Sequence, residues 1–310
     1  MAPPKVIVFG PAGAAGSATA RTAYELGAEV VLAMRDIEKP VPGFDAAKEH
    51  RGVERVYADL LQPDTVHSAV STTGAKSAFI YIAHRSPDHM KSTIGALKSA
   101  GIELVVFLSS FTVQGDPRTI APSEVIPYMH GQVEINLREV FGPDGYVAVK
   151  PGSFASNTRQ YKAGIQEGEV SIMAPDATVD CVAPEDIGRV CGTVLTKGAP
   201  GDDRVLYLYG PQLLTHEDCV QILANALGKN PKVKALDKAD AYKMFNEQRG
   251  FPPTLAEYMV RQGSLVTPGQ QSVFGYPVSD DQLSNVEKYS GKKATTFEEW
   301  VEQNKDMFIS

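Results

Sequence analysis

Short apolar runs alternate with amphipathic stretches through the first half of the chain. Val6–Phe9 carries no polar residue, and Glu29–Met34, Val53–Ala58, Ala78–Ala83, Leu104–Leu108 and Tyr146–Lys150 read as further, mainly apolar strands. Runs apolar on both alternating faces fit strands buried on both sides of a parallel sheet, and their alternation with helical stretches predicts an α/β architecture. A helix is expected over Ser17–Leu26. The spacing of Val133, Leu137, Val140 and Phe141 predicts another from about Gly131 to Phe141, with His130 in its first turn. After Pro184, the residues Ile187, Val190, Cys191 and Val194 share one helical face. Thr215 and Asp218 form a capping box ahead of Val220, Leu223, Ala224 and Leu227, with Gly228 as the stop. The stretch from Tyr242 to Pro277 is irregular and rich in large side chains: Tyr242, Met244, Phe245, Phe251, Tyr258, Met259, Phe274 and Tyr276. It reads equally as the wall and lid of a substrate cleft and as the core of a small helical subdomain.

The first strand runs into Gly10-x-x-Gly13-x-x-Gly16, interleaved with Ala12, Ala14 and Ala15, and a helix follows. Glycines there let the backbone turn tightly and approach a pyrophosphate, and the helix start presents unpaired N–H groups. This predicts a Rossmann-type doubly wound parallel sheet that binds a dinucleotide within residues 1–152. A smaller C-terminal α+β substrate domain over 153–310 is expected, with the chain crossing between the lobes. At the tip of the second strand stands Arg35, followed by Asp36. An Arg there suits the 2′-phosphate of NADP(H), and an acid suits the ribose of NAD. The favoured reading is Arg35 and NADP(H), with Asp36, Arg55 and Lys39 as alternatives. Ligands of such sheets bind beyond the carboxyl ends of the strands. Asp59 and Leu60, Ala83 and His84, Ser109 and Ser110, and Pro151 and Gly152 are therefore candidates by position.

A length of 310 residues allows one large domain and a smaller one. A net charge of −7 argues against nucleic acid or an anionic membrane as partner. The N-terminus lacks an apolar signal core and no run is long enough to span a bilayer, so a cytoplasmic protein is expected. Cys181, Cys191 and Cys219 are scattered without a CxxC pair, which fits reduced thiols and no metal site.

In order and spacing these residues resemble the NmrA-like branch of the short-chain dehydrogenase/reductase superfamily, similar to isoflavone and phenylcoumaran benzylic ether reductases. The resemblance covers nearly the whole chain. It rests on the glycine motif, Met34-Arg35-Asp36, Ala58-Asp59-Leu60, His130-Gly-Gln-Val-Glu134, Lys150-Pro-Gly-Ser-Phe154, Ala183-Pro-Glu-Asp-Ile-Gly188 and Thr296-Phe-Glu-Glu-Trp300. It implies NADP(H), Phe154 among the cofactor contacts, and a small-molecule substrate. Ser109-Ser110 resembles the strand end where extended members hold a substrate carbonyl. The family's Lys near the nicotinamide ribose corresponds to His130, and Tyr128 is followed four places later by Gln132, so Tyr-x-x-x-Lys is absent.

The candidate catalytic groups are thus His130, Ser110 and Tyr128. An unperturbed imidazole titrates near neutrality, so His130 is expected as proton donor or ribose anchor. His67, His89 and His216 carry no motif and read as surface residues. The expected function is an NADPH-dependent reductase of a small, largely apolar, aromatic or polycyclic molecule. The alternatives are an NADP(H) sensor that signals to a protein partner without turnover, and a non-redox isomerase or lyase on the same scaffold.

Overall fold

The computed structural model describes residues 2–45, 51–265, 272–273 and 275–309. Six strands and the helices between them follow the pattern, β2 and β3 having no helix described between them: β1 (Lys5–Phe9), α1 (Ala14–Glu25), β2 (Glu29–Met34), β3 (Val53–Tyr57), α2 (Pro63–Thr73), β4 (Ser77–Tyr81), α3 (Lys91–Ser99), β5 (Leu104–Leu108), α4 (Val125–Phe141) and β6 (Tyr146–Pro151). A seventh strand, β9 (Val205–Leu208), completes a parallel sheet of order β3-β2-β1-β4-β5-β6-β9. The order reverses between β1 and β4, and a crevice at such a switch point is where dinucleotides bind.

Strand periodicity divides the core into two layers. Val6 and Val8 face one layer with Ala20, Ala23, Ile187 and Val190; Ile7 and Phe9 face the other with Val66, Ile94, Val133 and Leu137. The first layer is covered by α1 and by α6 (Pro184–Lys197), which cross at very short range. A Cβ on Gly188 would collide with the Ala18 methyl, and one on Gly192 would stand 2.7 Å from the Thr19 carbonyl oxygen.

Between β6 and β9 the chain leaves the sheet and builds part of a second lobe. It contains α5 (Lys162–Glu167), β7 (Glu169–Ile172) and β8 (Thr178–Val179), joined later by β10 (Leu214–Thr215), α7 (His216–Leu227) and β11 (Lys232–Ala235). The pairs β7–β11 and β8–β10 are parallel and antiparallel respectively. Tyr161, Leu223, Phe297, Trp300 and Phe308 fill its core. Then α8 (Lys238–Lys243) and α9 (Pro253–Gly263) carry a small core of their own, in which Phe245 stacks on Phe251 with ring centroids 5.9 Å apart. Among the described residues no helix is long and apolar enough to cross a membrane.

Several boundaries differ from the sequence reading. Helix α1 begins at Ala14 rather than Ser17, β3 stops at Tyr57, and β4 stops at Tyr81, so His84 lies in the following turn. Helix α4 starts at Val125, which puts His130 in its second turn. Pro127 sits within the first turn, where a missing N–H costs nothing. Gly131 is interior, and a Cβ there would come within 3.1 Å of Pro117. The capping box of Thr215 and Asp218 and the left-handed Gly228 stop are present as expected.

Candidate functional site

The turn after β1 is shaped by two glycines and left open by a third. Gly10 has φ +68°, a left-handed conformation that disfavours a side chain, and a Cβ on it would strike the Tyr81 ring. A Cβ on Gly16 would collide with the Gly10 carbonyl oxygen, which locks α1 against the turn. Gly13 is different. It is exposed, and its added Cβ would meet only the Gly10 oxygen at 3.5 Å, so no other described residue fills the space before it. Gly13 is also the N-cap of α1 and has no side chain to cap the first N–H groups. Ala12, Ala14 and Ala15 complete this open rim. The result is a cradle with free donors and a positive dipole end, suited to a pyrophosphate.

Beside it, the tip of β2 sorts its charged residues. Asp36 accepts the Glu38 backbone N–H at 3.1 Å and so holds the turn. Arg55 donates to the carbonyls of Ile37 and Lys39 at 2.6 and 2.7 Å. Arg35 is exposed and makes no hydrogen bond or ion pair with any described residue. It acts electrostatically on Tyr81, as does Asp59. The Tyr81 hydroxyl is nevertheless pushed above its ordinary pKa, chiefly by burial. The Asp59 carboxylate accepts the Leu61 N–H at 3.0 Å, and the Leu60 carbonyl accepts the Thr93 hydroxyl at 2.8 Å, which fixes the acidic turn after β3.

Beyond β4 the backbone forms a knot. His89 and Met90 both adopt positive φ, at 50° and 66°. Asp88 accepts from Ser86, and from both the N–H and hydroxyl of Ser92; these bonds hold its carboxyl down to about 2 despite partial burial. Asn136 of α4 donates to the carbonyls of Asp88 and His89 at 3.2 and 3.0 Å. The Ala83 N–H faces the Met90 sulfur at 3.2 Å, while His84 is exposed at the rim.

On the neighbouring strands, Ser109 donates to Glu134 at 2.5 Å, and Glu134 pairs with Lys150 at 3.2 Å. Both charged side chains are almost fully buried. Burial pushes Glu134 up and Lys150 down, and their mutual attraction opposes both shifts. Lys150 also donates to the Val113 carbonyl at 2.8 Å. Ser109 is therefore committed to a buried network. The Ser110 hydroxyl pairs with Thr112 at 2.8 Å. Pro151 accepts the Phe111 N–H at 3.2 Å. Gly152 is required because the Asp180 carboxylate occupies the place of its Cβ. Phe154 bridges to Val182 and packs on the sheet core.

His130 lies one helical turn before Glu134. Its Nδ1 is 2.9 Å from the Ile126 carbonyl, and its ring is tilted over Phe107 at 6.4 Å. A carbonyl only accepts, so Nδ1 carries the proton and Nε2 of the neutral ring is a bare acceptor. Burial lowers its pKa to about 4, against one hydrogen bond that raises it and with help from the nearby charges of His84 and Lys150. Burial thus shifts His130 below the near-neutral titration of a free imidazole and favours its neutral ring. Tyr128 meets His89 edge-on at 5.8 Å. No hydrogen bond joins Ser110, Tyr128 and His130 among the described residues.

Two histidines were misjudged as surface groups. His89 packs on Tyr128. His216 accepts or donates a 2.6 Å hydrogen bond with the Tyr161 hydroxyl, and burial drops its pKa to about 4. The sequence reading also missed the Ser109–Glu134–Lys150 network. It missed Asp180 as well, a fully buried carboxyl that burial pushes up to about 7 although it accepts the Ser153 and Gly210 N–H groups at 2.7 and 3.0 Å. Nothing in a lone Asp between Val179 and Cys181 signals such a site. Cys181 and Cys219, scattered in sequence, have sulfurs 3.4 Å apart. The aromatic segment serves two places: Phe245, Phe251 and Met259 belong to the small core, while Tyr276 meets Phe111 edge-on at 5.6 Å, directly beyond Ser110. Phe274 lies outside the described residues.

Comparison with known proteins places this geometry. The chain is 38% identical to a nitrogen metabolite regulation-like protein, bik4, of Gibberella fujikuroi, over 96% of each chain. It is 24% identical to a (4-alkanoyl-5-oxo-2,5-dihydrofuran-3-yl)methyl phosphate reductase of Streptomyces griseus, over 98% of this chain and 99% of that one. In fold it matches an NADPH-dependent quinone oxidoreductase of Escherichia coli complexed with NADPH, with a TM-score of 0.73 and 18% identity, covering 96% of this chain and 99% of that one. The model of the NmrA-like family matches residues 3–301, and with it the chain belongs to that family.

Proposed function

We propose that this protein binds NADP(H) and transfers hydride from NADPH to a small, largely apolar acceptor held between the strand ends and the second lobe. The observation that carries the cofactor reading is the sorting of charges beyond β2. Asp36 and Arg55 are committed to the loop, whereas Arg35, the first residue beyond β2, is exposed and makes no hydrogen bond or ion pair with any described residue. Gly13, Ala14 and Ala15 would hold the pyrophosphate, and Arg35 the 2′-phosphate, bidentately. The bound dinucleotide supplies the hydride chemistry. The protein orients it. His130, with a bare Nε2, suits accepting a hydrogen bond from a ribose hydroxyl, and the Phe111–Tyr276 contact closes an apolar wall over Ser110. A neutral His130 does not donate from Nε2. That favours an acceptor needing no enzyme acid, such as an iminium, over a ketone.

The sensor reading keeps one observation in its favour. The 38% identical relative is named for regulation, and the neutral His130 leaves the proton donor unassigned. The experiment is a titration of NADPH and NADH against wild type and Arg35→Ala, followed by NADPH oxidation with enones, imines, quinones and aryl ketones. Arg35→Ala is expected to weaken NADPH selectively by about 1.5–3 kcal/mol, the worth of a charge-assisted hydrogen bond. Equal loss for both cofactors removes the 2′-phosphate role. No turnover across the panel, with cofactor-dependent association to a protein partner, replaces the enzyme by the sensor.

A further inference from the structure

A second cavity opens in the C-terminal lobe, away from the glycine turn in sequence and in fold. Its volume is about 80 Å³, and its walls include Tyr161, Met173, His216, Phe245, Arg249 and Met259. A water needs roughly 10–15 Å³ on this measure, so the cavity has room for a carboxylate-sized polar head, with the rest of a larger ligand at its mouth. The walls are mostly thioether, aromatic and aliphatic, as in small-molecule sites generally.

Gln160, Ser171 and His216 add polar groups, and Arg249 is the one full charge among the lining residues described. Its guanidinium carbon sits 5.2 Å over the Phe245 ring. It donates to the Gln160 side-chain oxygen and to the Met244 sulfur, which uses two of five N–H donors. Among the described residues no carboxylate lies within ion-pair distance of it. The groups acting on it are its own burial, which lowers its pKa, and Tyr161. His216 is neutral and bonded to Tyr161, so it neither adds a charge nor compensates one. A half-buried cation without a counter-ion in an apolar pocket costs desolvation energy that an arriving anion would recover.

We propose that this cavity is a binding site for the carboxylate end of an apolar organic acid, with Arg249 as the anion-binding residue and the Met173, Phe245 and Met259 wall gripping the adjoining carbons. A monoanion matches the single guanidinium; a phosphate dianion would leave one charge buried and unpaired. The site goes beyond the reductase reading. It identifies what the second lobe holds, whether that molecule is reduced or only bound.

The test uses the full chain saturated with NADP+, so that the glycine turn is filled. Binding of 4-phenylbutyrate, its uncharged amide and phenethyl phosphate is followed by saturation-transfer NMR titration at pH 7.5. The acid is expected to bind at least ten-fold more tightly than the amide and more tightly than the phosphate. Arg249→Met, checked for an intact fold by thermal unfolding and NADP+ binding, is expected to lose that ten-fold preference. Equal binding of acid and amide by wild type overturns the proposal even if the variant fails to fold. So does undiminished acid binding by Arg249→Met, or the absence of saturable binding. Stronger binding of the phosphate overturns the carboxylate assignment. None of these outcomes depends on NADPH oxidation, so failure here is distinguishable from failure of the reductase reading.

Discussion

His130 shows how far one residue can be read from its neighbours in sequence. Its correspondence to a motif position was legible. Its protonation state was not, because that depends on burial and on the Ile126 carbonyl one turn back. A folded pKa of about 4, below the ordinary 6.5, means that between those values the unfolded chain binds a proton that the folded chain refuses. Stability therefore rises with pH across that window and is insensitive to this group above it. One proton corresponds to about 1.4 kcal/mol per pH unit. His130→Gln is expected to flatten the dependence by that slope between pH 4.5 and 6, measured by urea unfolding. Asp180, raised to about 7, keeps its proton over the same range and acts in the opposite sense. The comparison with the variant cancels it. Identical slopes would show that His130 titrates normally. A turnover rate that falls as pH rises through 6.5 would revive the proton-donor role.

Elements were legible where periodicity is local. All six strands of the first half were placed to within two residues at their ends, since an apolar run needs only itself to be recognised. Helix α4 was placed from about Gly131 because its apolar stripe starts at Val133, so the turns that hold Pro127 were missed. Pro127 is tolerated in an initial turn, and Gly131 makes room for Pro117. Gly188 and Gly192 were unreadable for a related reason: they matter only through α1, far away in sequence. There the two backbones approach so closely that a methyl group on Gly188 meets Ala18. Gly188→Ala is expected to destabilise by about 1–3 kcal/mol, the usual cost of overpacking. It should also weaken NADPH binding if the proposed pyrophosphate site lies at the α1 N-terminus. Paired unfolding and cofactor titrations check both. Full stability and full affinity would mean that the crossing relaxes freely.

At the scale of the molecule, the parallel sheet was legible from its first six strands. A crossing of the chain between the lobes was expected, but not that α6 would pack on α1 or β9 pair with β6, since no sequence signal names those partners. Every residue of β6 is buried, and β9 is what covers its outer edge. A fragment of residues 1–152 would expose that edge and the α1 face that α6 covers. It is expected to be insoluble or molten and to bind no NADPH, judged by size-exclusion chromatography and calorimetry. A soluble, cofactor-binding fragment would make the first lobe autonomous. The same late strand has a meaning for biosynthesis. At about 5–20 residues per second, the ribosome needs on the order of 3–10 s to add residues 152–204 after β6 has been made. Through that interval the nascent chain carries an unpaired apolar edge, the kind of surface that aggregates before its partner strand arrives.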